Sequence, residues 1–315
     1  MRRIGAVDIG GTKIAAGIVR EDGTILHRSE CPTEPQRGFR DAVDRIQRML
    51  QTAIDQCGSI DGIGIGCPGP LDPLTGVIGD VGTLPGWEGG PLTDAVGERL
   101  GLPVVVENDA DAATLAEYAW GATQTSGTLI YVTISTGIGG GIVQDGRLYR
   151  GVRGAHPEFG HQLIDPAGPL CYCKLCGCWE SLASGPAMTA SFSEIDPDRG
   201  VLTAAEICGL AQQGDPLALR AVKREAHYLG LGLANLVTLF VPEVICLGGG
   251  VMRSGDLFIA DLRATVRSLC TQVPVEYTTI TLSSLGPDIG LLGAAQSWLL
   301  RNPGLAVKAN LQEER

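Results

Sequence analysis

The chain has 315 residues, of which 45 are Gly and 18 Pro, with 44% hydrophobic and 19% charged residues. This composition supplies a large core and excludes global disorder, and the glycine excess has no collagen period, so it serves turns and close backbone approaches. A net charge of −11 argues against a basic nucleic-acid face, although a few backbone amides can still bind a small anion locally.

Only four non-polar residues separate Met1-Arg2-Arg3 from Asp8, too few for a signal-peptide core, so a cytoplasmic protein is expected. Three short apolar runs follow as strands: Ile4–Asp8, Ile14–Arg20 and Thr24–Glu30. Gly10-Gly11-Thr12 and Asp22-Gly23 are the turn signals between them. Phe39, Val43, Ile46, Met49, Leu50 and Ala53 predict a helix over Arg37–Cys57. Ile60–Gly66 reads as a buried strand ended by Pro68 and Pro70, Pro91–Leu100 as a short helix and Val104–Glu107 as a strand. A helix over Asp109–Trp120 starts at an acidic residue.

The pattern then recurs. Leu129–Ser135 is a strand, Gly137–Gly141 a glycine turn, and Gly141-Ile142-Val143 a strand running into a hairpin at Asp145-Gly146. Gly17-Ile18-Val19 followed by Asp22-Gly23 has the same order, which predicts a duplication: two related α/β halves with a cleft between them. Residues 192–200 read as an exposed loop. Helices at 203–213, 217–240 and 256–270 then alternate with strands at 244–247 and 278–282, before a final helix from Gly290. The longest apolar stretch, Leu229–Val241, is too short to span a bilayer, and no membrane partner is expected. The expected domains are residues 1–118 joined by a helix at about 290–315, and residues 119–289 carrying the loop 156–180.

Four groups of residues can carry chemistry. In Asp8-Ile9-Gly10-Gly11-Thr12-Lys13 the paired glycines let successive amides face phosphate oxygens, Thr12 offers a hydroxyl, and Asp8 suits a magnesium ion. A second glycine turn, Ser135-Thr136-Gly137 to Gly141, would clamp a polyphosphate with the first; neither matches a P-loop. Gly64-Ile65-Gly66-Cys67-Pro68-Gly69 fits the dinucleotide pattern, but Pro68 and Pro70 disfavour the helix that site requires. Glu107-Asn108-Asp109 lies where a strand meets a helix. There Asp109 is either a helix cap or a carboxylate placed to accept a hydroxyl proton, and Asn108 can donate to and accept from substrate hydroxyls. Finally, His161 precedes Cys171, Cys173, Cys176 and Cys178, five candidates for the four positions of a structural zinc site.

Together these motifs resemble the ROK family of sugar kinases and sugar-responsive repressors, over nearly the whole chain. The likeness rests on Asp8–Lys13, Cys67-Pro68-Gly69-Pro70, Glu107–Ala110, Thr136–Gly141, Glu158-Phe159-Gly160-His161, the cysteine cluster through Glu180, and Leu247-Gly248-Gly249-Gly250. It implies two actin/hexokinase-like (ribonuclease H-like) domains and ATP-dependent phosphorylation of a hexose at its 6-hydroxyl. Glucose is the first candidate and N-acetylmannosamine or another hexose the alternative. Asp109 is implied as the base, with Gly66, Pro68, Asn108, Glu158, His161 and Glu180 at the sugar. Asp8, Gly10, Gly11, Thr12, Lys13, Thr136, Gly137, Gly248 and Gly249 are implied at ATP and magnesium. His161, Cys171, Cys173 and Cys178 are the implied zinc ligands, leaving Cys176 spare. A homodimer or a dimer of dimers is expected. Lys174 departs from the family in replacing a Gly, Asp111 stands where Asn is common, and His156-Pro157 replaces small residues before the Glu. The rival reading, a repressor, calls for an added N-terminal helix-turn-helix, and the first strand here begins at Ile4.

Overall fold

A computed structural model describes residues 1–122 and 127–303, in two units: Met1–Gly121 with Pro287–Arg315, and Ala122–Gly286. The first unit contains β1 (Arg3–Ile9), β2 (Lys13–Arg20), β3 (Ile25–Pro32), α1 (Phe39–Cys57), β4 (Gly62–Cys67), α2 (Leu92–Leu100), β5 (Val104–Asn108) and α3 (Asp109–Trp120). The second contains β6 (Thr128–Ile134), β7 (Ile138–Gln144), β8 (Arg147–Leu148), α4 (Trp179–Ala183), α5 (Gly185–Ile195) and α6 (Ala204–Gln212). It continues through α7 (Pro216–Phe240), β9 (Val244–Gly248), α8 (Ile259–Leu269) and β10 (Thr279–Leu282). The chain then returns to the first unit as α9 (Ile289–Arg301).

The two sheets have one topology. In the first, the order is β3-β2-β1-β4-β5, with β1 antiparallel to β2 and parallel to β4, and β4 parallel to β5. The second, read from β8, is β8-β7-β6-β9-β10 with the same sequence of antiparallel and parallel pairs. Duplication predicts this correspondence.

Central parallel strands are covered on both faces, and every residue of β4 is buried. Its glycines serve packing: a Cβ on Gly64 would lie 1.8 Å from the Ala294 carbonyl oxygen, so α9 rests directly on the sheet. After Cys67 the chain opens no helix until α2, which removes the dinucleotide reading. On α1, Val43, Ile46, Leu50 and Ala53 form the buried stripe that the spacing predicts.

Several expectations need correction. Gly139–Gly141 lie within β7 rather than in a turn, because the bend is confined to Ser135–Gly137, where the Ser135 amide donates to the Gly137 carbonyl at 2.8 Å. Residues 192–195 complete α5 rather than a loop, because Phe192 is a fully buried core residue; only Pro197–Arg199 forms a separate short turn. α3 runs through Trp120, so the first unit reaches Gly121 rather than residue 118. The final helix ends at Arg301, and residues 304–315 of the expected helix lie outside the described residues. Among the described residues, no helix is long and apolar enough to cross a membrane.

Candidate active site and metal-binding loop

Strand register gathers the first unit's site. Asp8 of β1 pairs with Gly66 of β4, and Cys67 of β4 pairs with Asn108 of β5, at the carboxyl ends of three parallel strands where open α/β sheets bind ligands. A Cβ on Gly66 would lie 3.8 Å from both Asp8 Oδ1 and the Asp109 Cα, so the missing side chain leaves this strand end open beside both residues. Burial, then the neighbouring Asp109 charge, raises the Asp8 carboxyl to a pKa of about 6, against an opposing pull from Lys13 and a further push from Asp288. Gly290 makes room for that carboxylate, since a Cβ there would fall 2.2 Å from Asp8 Oδ2. The turn after β1 is closed by the Gly10 amide donating to the Lys13 carbonyl at 2.8 Å, which leaves Thr12 and Lys13 exposed at its tip.

The cap of α3 is Asn108. Its Oδ1 accepts from the amides of Ala110 at 3.0 Å and Asp111 at 3.2 Å. Asp109 is therefore the first helical residue, and its Oδ1 accepts from the Ala110 amide at 2.8 Å. With Oδ1 engaged in capping, Asn108 retains its amide hydrogens as donors for a ligand.

In the second unit the bend at Ser135–Gly137 adjoins the Gly248–Gly250 loop. Gly249 has φ +93° and packs against the Ile134 backbone, while a Cβ on Gly250 would lie 3.4 Å from Ser135 Oγ. Glu180 joins this group through its Oε2, which accepts from the Ile138 amide at 2.8 Å. A Cβ on Gly137 would fall 2.1 Å from the same oxygen. Burial raises the Glu180 pKa, whereas a hydrogen bond from His156, and then burial opposing it, leave Glu158 lowered. Trp179, fully buried and donating from Nε1 to the Tyr228 carbonyl at 2.9 Å, anchors the short α4 that carries Glu180.

The cysteine loop brings ligand atoms of His161, Cys171, Cys173 and Cys178 within 4.8 Å of one another, whereas Cys176 is exposed and outside the group. Cys173 and Cys178 sulfurs are 3.4 Å apart, and Cys171 Sγ is 3.7 Å from His161 Nδ1. A zinc tetrahedron with sulfur arms of about 2.3 Å has edges of about 3.8 Å, so these residues fit zinc. Burial and the neighbouring thiols raise Cys178 to a pKa of about 12, a cost that a bound cation would offset. The outward nitrogen of His161, Nε2, lies 2.8 Å from the Tyr172 hydroxyl.

Sequence reasoning missed Asp288, Gly290 and Tyr172. The first two meet Asp8 across some 280 positions and carry no local signal, while Tyr172 occupies the unspecified place between the first two cysteines.

The ROK family pattern matches residues 4–301, and the chain belongs to the ROK family. A glucokinase from Streptomyces coelicolor is 36% identical over 318 residues, covering 94% of this chain and 97% of its own. The crystal structure of a ROK family glucokinase from Streptomyces griseus, in complex with glucose and AMPPNP, superposes with a TM-score of 0.81 at 36% identity, covering 93% of this chain and 98% of that one. The xylose repressor of Bacillus subtilis is 31% identical over 91% of this chain but only 74% of its own length.

Proposed function

We propose that this chain phosphorylates the 6-hydroxyl of a hexose, glucose before N-acetylmannosamine or any other. It is an ATP-dependent sugar kinase, supported by its glucokinase relatives and by a related enzyme crystallised with glucose and AMPPNP. The observation that carries the mechanism is the carboxylate pair of Asp8, near the end of β1, and Asp109, just after β5, which both adjoin Gly66 of the intervening β4, with Asp8 held at a pKa of about 6.

In this reading Asp109 accepts the proton of the 6-hydroxyl as its oxygen attacks the γ-phosphorus and ADP departs. Asn108, Glu158, His161 and Glu180 bind sugar hydroxyls, with Gly66 and Pro68 lining the sugar. Gly10, Gly11, Thr12, Lys13, Thr136 and Gly137 cradle the phosphates, and Gly248 and Gly249 face the adenosine. Asp8 would hold the magnesium ion, directly or through water; its crowded carboxyl suits a divalent cation, which neutralises phosphate charge when bound. The cluster of His161, Cys171, Cys173 and Cys178 would hold a structural zinc that ties down the loop bearing Glu158, His161 and Glu180. A cytoplasmic location and a homodimer or dimer of dimers complete the reading.

A coupled assay of a hexose panel with ATP and magnesium tests it. Glucose should give the highest kcat/KM, and Asp109→Asn should cut kcat at least about a hundredfold while sugar affinity stays within about tenfold. A comparable kcat in the variant removes Asp109 from the mechanism.

The repressor relative supplies no better reading. The kinase residues Asp8, Asp109 and both glycine turns are all present here.

A further inference from the structure

Tyr172 stands between Cys171 and Cys173 with 77% of its surface exposed, yet its hydroxyl is not idle. It lies 2.8 Å from His161 Nε2, and the two rings meet edge-on with centroids 5.1 Å apart. The other ring nitrogen, Nδ1, faces Cys171 Sγ at 3.7 Å on the side of the thiol cluster. An imidazole that gives its Nδ1 lone pair to a metal carries its single proton on Nε2. Nε2–H then donates to the Tyr172 oxygen. Glu158, three residues before His161, and Glu180, two residues after Cys178, bracket the same loop. A hydroxyl that accepts from His161 takes the place proposed above for a sugar hydroxyl.

We infer that Tyr172 is a built-in stand-in for the sugar: before sugar binds, its hydroxyl occupies the one donor of His161, and a sugar held by His161 must displace it. The inference rests on the reading of Glu158, His161 and Glu180 as sugar-binding residues. Displacement is feasible because the exposed phenol exchanges His161 for water. It breaks one ordinary hydrogen bond, which corresponds to about a two- to tenfold effect on sugar affinity. The competition is also selective. Only a sugar with a hydroxyl that reaches His161 has to remove Tyr172, so the residue tunes discrimination among hexoses as well as affinity.

The test is calorimetric titration of zinc-loaded wild type, Tyr172→Phe and Tyr172→Leu with glucose, with each monodeoxyglucose, and with ATP. Both variants free Nε2–H, and the second also removes the ring, which separates the hydroxyl's effect from that of ring packing. The expected result is glucose binding tightened about two- to tenfold in both variants, with ATP affinity unchanged and the kinetic change confined to the sugar KM. For one deoxy sugar, the one lacking the hydroxyl that meets His161, the gain should vanish. Weaker glucose binding in Tyr172→Phe overturns the inference and makes the phenol a direct sugar contact. Unchanged affinity, or an equal gain for every deoxy sugar, overturns it as well. If neither wild type nor variants bind any hexose, the kinase reading fails and takes this inference with it; binding without tightening refutes the role of Tyr172 alone.

Discussion

His156 Nε2 lies 3.2 Å from Glu158 Oε1, so a residue that the family resemblance does not call for is a partner of a proposed sugar-binding carboxylate. The imidazole holds the Glu158 carboxyl below its ordinary pKa and fixes its direction. Glu158 is 63% exposed in its side chain, so the pair is solvent-screened and its effect modest. His156→Ala is expected to raise the sugar KM about two- to fivefold, with kcat and the ATP KM little changed. Steady-state kinetics in each substrate decide it, and a matching rise in the ATP KM would argue for a general disturbance of the unit.

How much of the fold and site is legible in the sequence depends on how far apart the contacting residues lie. Strands, glycine turns and Asp-Gly hairpins are local, and the repeated order of Gly17-Ile18-Val19 and Gly141-Ile142-Val143 is enough to predict two sheets of one topology. Boundaries fail where tertiary packing overrides local composition, as at Phe192, which the polar run after it disguises as loop. The contacts that tune the site are non-local or sit at unspecified motif positions. Asp288 and Gly290 reach Asp8 from the far end of the chain, and Tyr172 finds His161 only when the loop folds. Of the three departures the sequence marks, at Lys174, Asp111 and His156-Pro157, the geometry gives a physical meaning to His156 and Lys174.

Lys174 stands where the family resemblance implies a glycine and has φ +71°, in the left-handed region that disfavours side chains. Its amide donates to the Cys171 carbonyl at 2.9 Å, closing the tight turn within the cysteine loop. Lys174→Gly should therefore stabilise the protein by about 1 kcal/mol, the cost of a non-glycine residue in this conformation. Urea unfolding of both zinc-loaded proteins measures it, and a loss of stability would mean that the lysine side chain makes a compensating contact.

For the metal loop, one zinc per chain is expected, lost in Cys171→Ser, Cys173→Ser or Cys178→Ser and retained in Cys176→Ser, whose thiol lies outside the cluster. Because Glu158, His161 and Glu180 ride on this loop, Cys178→Ser should raise the sugar Kd at least about tenfold, the scale of losing a supporting residue. ATP affinity should change less than about threefold, because the glycine turns carry none of the metal ligands. Metal analysis and titration of each ligand, on protein shown by circular dichroism to be folded, separate the cases. Equal losses would mean that zinc supports the whole unit rather than its sugar-binding loop.

Asp8 gives a prediction in pH. Its carboxyl is raised from 3.8 to about 6 in the folded chain, chiefly by burial and by Asp109. Between about pH 4 and pH 6 an unfolded chain has released this proton while the folded one retains it, so the folded state binds more protons. Stability on this account falls as pH rises through that window, and above it the deficit is constant at about 3 kcal/mol, from roughly two pKa units at 1.36 kcal/mol each. Asp8→Asn removes the charge, so in EDTA at pH 7.5 the variant should be more stable than wild type by about 1–3 kcal/mol. At pH 4 the advantage should shrink below about 1 kcal/mol, since the carboxyl is then protonated in the folded wild type. Magnesium with ATP favours the ionised form and should stabilise wild type more than the variant, which will have lost activity. Urea unfolding at both pH values, with and without magnesium and ATP, reads all three effects. A stability difference independent of pH would show that Asp8 is not held under charge and burial stress, and equal stabilisation of both proteins by magnesium with ATP would show that it does not hold the cation.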